Sequence, residues 1–307
     1  MKTSVVIVTF NGMKWIENCL ESILGNTELP EIIIVDNCSS DNTVEFLKNT
    51  YFQKIKLIES KENLGFGRAN NLGIAKAFEL NSDFIFLLNQ DTVIEKDTIE
   101  KLLAISLKNP DYGIISPIHS NGDNSSLDLS FLYYINQQCS ALISDFVLDK
   151  KRKELYPVEM INAAAWFLPV KTFEIVGGFD PLFFLYGEDD NFCQRVLYHN
   201  LKIGITTATI IKHDSGNNFK VDFPKGSKNY YNKFLNRIKV KFANVNSEDF
   251  RKINTLKRHF LKEALLSLLK FKFDEFTIYK TKYKLIDKKS LEASVLKNRQ
   301  TGKKYLV

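Results

Sequence analysis

Four strand-like runs constrain this chain more than any other feature: "SVVIVTF" (4–10), "EIIIVD" (31–36), "KIKLIES" (54–60) and "DFIFLLN" (83–89). Each is followed by polar turn residues and then by a segment of helical length. Strands that are apolar in continuous runs are buried on both faces, which implies a largely parallel sheet covered by helices on each side. The intervening segments agree. "MKWIENCLESIL" spaces Trp15, Cys19, Ile23 and Leu24 at helical intervals, and Ser39, Ser40 or Asp41 can cap the helix "NTVEFLKN". "GRANNLGIAKAFEL" and "EKDTIEKLLAISLKN" give two more helices, and "YGIISP" a further strand.

In such sheets ligands bind beyond the carboxyl ends of the strands. Those ends carry "TFN", "VDNCSSDNT", "SKENLGFGRANN" and "LLNQDT", short polar groups that suggest one shared crevice. Asn89 and Asp91, two positions apart at a strand end, face a common point. A hard divalent cation takes such oxygen ligands together with substrate phosphates. The G-x-G of "NLGFGR" lacks the third glycine of the dinucleotide fingerprint, and no P-loop occurs, although a helix N-terminus around Gly65–Arg68 suits a phosphate. "FFLYGEDDNFCQRV" (183–196) crowds Glu188, Asp189 and Asp190 behind large apolar residues. Metal binding, base chemistry and helix capping are all open readings of that cluster.

Elsewhere the pattern is mixed. "LDLSFLYYINQQCSALISDFVLD" is rich in aromatic and β-branched residues, "MINAAAWFLPVKTFEIVGGFDP" gives strand, short helix and glycine turn, and "KIGITTATIIKHDSG" one or two closing strands that end at His213. The net charge of +6 is uneven: residues 251–307 hold 16 Lys and Arg against 5 Asp and Glu, a net of +11, which leaves −5 for residues 1–250. A nucleic-acid-binding body is therefore not expected. Within the basic tail, Ile253, Leu256, Phe260, Ala264, Leu265 and Leu268 form an amphipathic stripe. The four cysteines are scattered, which fits a reduced, cytoplasmic setting without structural zinc. The N-terminus has the form of a first strand rather than a signal peptide, and no run of about 18 apolar residues marks a membrane span.

"SVVIVTFNG", "IIIVDNCSSDNT", "NLGFGRANNLGI", "LLNQDT", "VGGFDPLFF" and "GEDDNFCQR" together resemble the family 2 glycosyltransferases in order and spacing, most closely the bacterial rhamnosyltransferase-like branch. The resemblance spans about residues 3–215. It implies a GT-A fold of the α/β class, with a mostly parallel central sheet flanked by helices and a C-terminal helical appendage. The domains are then 1–220 for the transferase and 221–307 for the appendage. The implied donor is a nucleoside-diphosphate sugar, transferred with inversion to a glycan or lipid-linked acceptor in bacterial surface polysaccharide synthesis.

By matched position, Thr9, Phe10 and Asn11 would line the nucleotide pocket, Asp36 would contact base or ribose, and Asn63, Gly65, Phe66 and Asn70 would flank the nucleotide. Asn89 and Asp91 match the metal-binding "DxD" element, with Asn89 in place of its first acid; His213 stands where metal-using members place a further ligand for Mg or Mn. Asp189 matches the catalytic base, preceded by Glu188 and followed by Asp190 and Arg195; Asn191 departs from the family's second aspartate, which puts its role in question. Trp166 and the Phe183–Tyr186 run suit either sugar stacking or the core. His119, His199 and His259 are expected to be structural or surface residues. The alternatives are a nucleotidyltransferase, disfavoured because "TFNG" replaces its glycine-rich loop, and a non-catalytic sugar-nucleotide-binding protein. The tail is expected to dock on a membrane surface, at the inner face of the cell membrane, or on a second subunit; the alternative is that its stripe packs on the catalytic domain or a dimer mate and its lysines are solvated.

Overall fold

A computed structural model describes residues 1–216 and 223–306. The elements run β1 (Thr3–Thr9), α1 (Ile16–Leu24), β2 (Glu31–Asp36), α2 (Thr43–Tyr51), β3 (Ile55–Glu59), α3 (Phe66–Glu79), β4 (Phe84–Asn89), β5 (Thr92–Ile94), α4 (Thr98–Lys108) and β6 (Tyr112–Asn121). They continue through α5 (Leu129–Gln138), α6 (Ser140–Val147), β7 (Tyr156–Val158), β8 (Ala165–Pro169), α7 (Val170–Val176), α8 (Glu188–Tyr198) and β9 (Lys202–His213). Four tail helices follow: α9 (Lys228–Phe242), α10 (Ile253–Leu269), α11 (Phe273–Leu285) and α12 (Lys288–Asn298).

Among the described residues the strands form one sheet in the order β3-β2-β1-β4-β8-β6-β9-β5, with β7 paired to β9. The first four strands are mutually parallel, as the continuous apolar runs require. β8 inserts antiparallel between β4 and β6, and β6 and β9 are again parallel. Alternation splits the core: Val5 and Ile7 pack with α1, α2 and α4 on one face, and Val6 with α3, α5 and the later helices on the other. The aromatic-rich 127–149 stretch, left unassigned by its composition, forms α5 and α6, which bury Phe131, Ile135 and Leu142 against the sheet.

The junction at residue 220 lies outside the described residues. Beyond it, Ile238, Phe242, Ile253, Phe260, Ile286 and Leu291 bury around Phe183, so the tail helices share a core with the acidic loop. The expected stripe divides. Ile253, Phe260 and Ala264 are buried, whereas Leu265 and Leu268 face outward with Leu261, Leu269, Phe271 and Phe273.

Candidate active site

The carboxyl ends of β1, β2 and β4 enclose a cleft of about 270 Å3 lined by Phe10, Asn63, Gly65, Phe66, Asn89 and Asp91, with Phe184 and Leu185 as its far wall. Asn37, not singled out in the sequence, organises it. Its Nδ2 donates to Asn63 Oδ1 (3.0 Å) and Gly65 O (3.3 Å), and its Oδ1 accepts from the Leu64 N–H (2.7 Å). Gly65 has φ +76, and a Cβ there would meet the Phe184 carbonyl oxygen at 1.9 Å, so only glycine lets the two walls meet.

Of the other expected nucleotide residues, Thr9, Asp36 and Asn70 are buried one layer back, and Asn11 is exposed. Thr9 Oγ1 donates to Asp36 Oδ1 (3.1 Å), and Ser39 donates to both Asp36 oxygens, so this buried carboxylate is engaged within the loop rather than open to a ribose. Asn11 Oδ1 accepts from the Ser40 and Asp41 N–H groups, and Asn70 is buried in α3, its Nδ2 donating to Phe66 O. These side chains shape the cleft without lining it.

Asp91 also borders a second cavity, of about 620 Å3, that contains His213, Asp128 and Asp214. The antiparallel pairing of β5 with β9 sets Thr92 opposite His213, which brings together residues 121 positions apart. His213 Nε2 lies 3.5 Å from Asp91 Oδ1, and its Nδ1 lies 3.4 Å from Asp128 Oδ2. Burial alone would lower the imidazole pKa, but the two carboxylates outweigh it and raise it to about 9. Burial likewise opposes charge on Asp128. The His213 imidazolium, the Ser215 hydroxyl and the Phe131 N–H prevail and hold its pKa well below the usual carboxylate range.

Asp128 was missed in the sequence because its visible role, capping α5, is that of any helix-start aspartate. Behind a metal-facing imidazole, a buried carboxylate fixes ring orientation and raises ligand basicity. Asn89 Oδ1 is buried without a hydrogen-bond partner, and His213 Nδ1 has the Asp128 carboxylate at 3.4 Å, so the corner is not closed upon itself at Asn89. One carboxylate and one imidazole suit Mg or Mn. Among the described residues no cluster of three or more acidic, histidine or cysteine side chains could hold an ion by itself. His119 lies behind His213 with its Nε2 3.0 Å from Ser116 Oγ; burial and the neighbouring imidazolium lower its pKa to about 3, so it is a neutral core histidine. His199 bonds the Asn298 carbonyl, and His259 lies on the tail surface.

The acidic cluster opens α8. Asp189 Oδ2 accepts from the Ala163 N–H (2.9 Å), while Oδ1 is out of solvent and unpartnered. Ala164 O in turn accepts from the Asn89 N–H (3.0 Å), so the cluster and the β4 end are tied to adjacent residues of one segment. Burial first, then the charge of Glu188 and more weakly that of Asp190, push Asp189 well above the ordinary carboxylate range against the pull of the Ala163 N–H. Glu188 is buried, its pKa also raised by burial and by Asp190. Burial raises Asp190 too.

Arg195 is fully buried. It donates from Nε to Asn191 Oδ1 (3.0 Å), and from its two terminal nitrogens to Val176 O (3.0 Å) and Gly178 O (2.8 Å), so it braces the glycine turn. Asn191 thus keeps a loop-ordering role without the charge. Trp166 is also fully buried, stacked on Phe179 at 6.1 Å, which places it in the core and removes it as a sugar platform. From the tail, Lys239 Nζ donates to Leu182 O (2.7 Å) and Asn236 Nδ2 to Leu185 O (2.8 Å), so α9 holds the loop that leads into α8.

Residues 4–151 match the family model described as Glycosyl transferase family 2. The chain is 29% identical over 202 residues to the low-salt glycan biosynthesis hexosyltransferase Agl10 of Haloferax volcanii, covering 66% of this chain and 63% of that one. It therefore spans less than two thirds of that relative's length. It is 24% identical over 237 residues to the N-acetylglucosaminyl-diphospho-decaprenol L-rhamnosyltransferase of Mycobacterium tuberculosis, covering 68% and 75% of the two chains. The crystal structure of S. aureus TarS 1-349 in complex with UDP-GlcNAc superposes with a TM-score of 0.57 at 16% identity, over 97% of this chain and 89% of that one.

Proposed function

We propose, from the match of residues 4–151 to the glycosyl transferase family 2 model and from the GT-A fold, that the protein is an inverting, metal-dependent glycosyltransferase of that family. Its donor is a nucleoside-diphosphate sugar and its acceptor a hydroxyl of a glycan or lipid-linked saccharide in surface polysaccharide synthesis. One observation carries the reading: a carboxylate of raised pKa, Asp189, is held by a backbone N–H beside the strand end that bears Asn89 and Asp91.

In this mechanism the nucleotide lies among Phe10, Asn63, Gly65 and Phe66, with Asn89 toward the ribose. Asp189 takes the proton of the acceptor hydroxyl while that oxygen bonds to the anomeric carbon. The bond from that carbon to the diphosphate breaks on the opposite face, and the sugar inverts. A base whose pKa is raised by burial accepts the proton more readily than an ordinary aspartate. Glu188 sustains that pKa through its charge, and Asp190, Arg195 and Trp166 support the loop. Asp91 and His213 would hold Mg or Mn, which when bound offsets the negative charge of the departing diphosphate.

Residues 1–220 then carry the reaction, and 221–307 serve the acceptor side. No helix among the described residues is long and apolar enough to cross a membrane. The outward-facing Leu265, Leu268, Leu269, Phe271 and Phe273 stand among Lys262, Lys270 and Lys272. With the tail's +11 charge, that patch suits shallow insertion at the anionic inner face of the cell membrane. The test of the catalytic reading is a thermal-shift panel of nucleotide sugars, followed by donor hydrolysis with and without Mn. A donor at about 100 times its dissociation constant adds about 2.7 kcal/mol of stability. Stabilisation with no hydrolysis and no transfer under any condition would reduce the protein to a binder.

A further inference from the structure

Between the Phe184–Gly187 loop and α9 lies an open groove of about 1100 Å3, larger than either cavity around Asp91. It shares Phe184 and Leu185 with the nucleotide cleft, and Asp190 forms part of its wall, so it begins at the acidic cluster and leads away from the donor pocket. Its other wall is one face of α9. Asn229, Asn232, Asn236, Arg237, Val240 and Lys241 recur at helical spacing along it, while Ile238 and Phe242 on the opposite face are buried in the tail core.

Two features of the groove are not demanded by folding. Tyr186 has φ +66, a left-handed backbone that is costly for a bulky aromatic residue, yet its side chain is 72% exposed and packs no core. It is held there by Gly187 (φ +95), where a Cβ would meet Val240 Cγ2 at 2.8 Å, and by the bond from Asn236 to Leu185 O. The second feature is charge. Arg237 and Lys241, one turn apart, are exposed and have no ion pair with any described residue. Lys239, also on this wall, donates to Leu182 O; of the two carboxylates lining the groove, Asp190 belongs to the acidic cluster and Asp249, which feels the Lys241 charge, is paired with Lys252 at 2.9 Å. Strain spent to expose an aromatic ring, beside amides and two cations without an ion-pair partner among the described residues, is the chemistry of a site for a sugar bearing an anionic group.

We propose that this groove is the acceptor site: Tyr186 stacks on the acceptor saccharide next to Asp189, and Arg237 and Lys241 bind a phosphate attached to it. The inference rests on the transferase reading and adds the acceptor's class, a phosphate-linked saccharide. The phosphate belongs either to a lipid diphosphate or to a phosphodiester within a polymer. Amides such as Asn229 and Asn232 serve the saccharide hydroxyls in either case.

The test is titration of the full chain, with Mg and saturating UDP to occupy the donor cleft, against three probes. These are N-acetylglucosaminyl-diphospho-farnesol, a soluble phosphodiester-linked oligosaccharide, and octyl N-acetylglucosaminide as the neutral control. The expected result is that one phosphate-bearing probe binds more tightly than the neutral one and weakens as salt is raised. Arg237→Gln with Lys241→Gln should lower that affinity by about tenfold or more for each lost cation, leaving the neutral probe unchanged. Which charged probe responds identifies the source of the phosphate. Both substitutions are on exposed positions, and an unaltered UDP-induced thermal shift in the double variant reports an intact fold and donor cleft. Equal affinity of wild type and double variant for every probe overturns the inference. Failure of every nucleotide sugar to shift the wild-type melting temperature would instead undo the transferase reading.

Discussion

Replacing Asp189 with Asn gives the sharpest test of the site, because the surroundings constrain what the variant can lose. The Ala163 N–H now donates to Asp189 Oδ2, and an asparagine carbonyl can accept the same bond. Oδ1 has no partner, so the new NH2 group displaces no interaction. What disappears is a carboxylate's basicity. Removing a positioned general base costs about two to four orders of magnitude in rate, equivalent to about 3 to 5 kcal/mol in the barrier. Because burial and the Glu188 charge raise the pKa of this carboxylate and so its basicity, the loss should fall toward the larger end. Transfer rates under saturating donor, together with donor affinity from thermal shift, separate the two effects: kcat should collapse while donor binding changes by no more than a few-fold.

Stability should move the opposite way. Between the ordinary aspartate pKa of about 3.9 and the raised folded value, the folded protein binds more protons at this site than the unfolded chain does. That contribution to stability is lost as pH rises through the folded value. Asparagine carries no such penalty, so D189N should melt higher than wild type at neutral pH while being far less active. A variant within tenfold of wild-type kcat refutes the base assignment. One that loses activity together with its melting temperature shows that the residue matters for structure.

Glu188→Gln removes the charge that most raises Asp189 after burial, so the acid limb of the pH–rate profile should shift to lower pH; an unmoved limb means the titrating group is not Asp189. A cation at His213 must displace a proton held with a pKa of about 9, so apparent Mn affinity should weaken by up to about tenfold per pH unit below that value. Asp128→Asn should weaken Mn binding at pH 8 by about 10- to 100-fold in a titration of the full chain, and undiminished affinity would remove Asp128 from the metal site. Co-sedimentation with anionic liposomes should fall with salt and with Leu269→Ser plus Phe271→Ser, which alter side chains 76% and 79% exposed. A protein that stays in the supernatant at low salt, or one whose dimerisation is what the double variant abolishes, assigns the patch to a second copy instead.

The parallel half of the sheet was legible because its strands are apolar on both faces, and the polar strand ends marked the cleft from local sequence alone. The antiparallel half was not. β5 is three residues long, too short to show any period, and its pairing partner lies on β9. α5 and α6 draw on aromatic and β-branched residues whose local preference favours strand, and packing against the sheet overrides it. The same locality explains which site residues could be found. Asp91 and Asp189 stand in compact motifs, whereas Asp128 joins His213 only through the fold, and Asp36 looked open to ligand until Thr9 and Ser39 were seen to occupy it.

The tail was the least legible part, and charge was the reason. Eleven net positive charges beside an amphipathic stripe suggested an appendage docked on a membrane or a second subunit, with packing on the catalytic domain as the alternative, and the apolar spacing of Phe234, Ile238 and Phe242 went unremarked among the lysines of α9. Yet that spacing places α9 against Phe183 and aligns Lys239 and Asn236 with two carbonyls of the acidic loop. The loop is thus held on one side by Gly65 against Phe184, on another by Ala163 against Asp189, and on the third by the tail. Donor contact, proton acceptance and acceptor binding are assigned here to successive stretches of this one segment, residues 184–190. A base displaced by about an ångström loses much of its effect, so rigid bracing from all three sides is what such a segment requires. A tail fused to the catalytic core supplies the third brace, which a tethered appendage could not do.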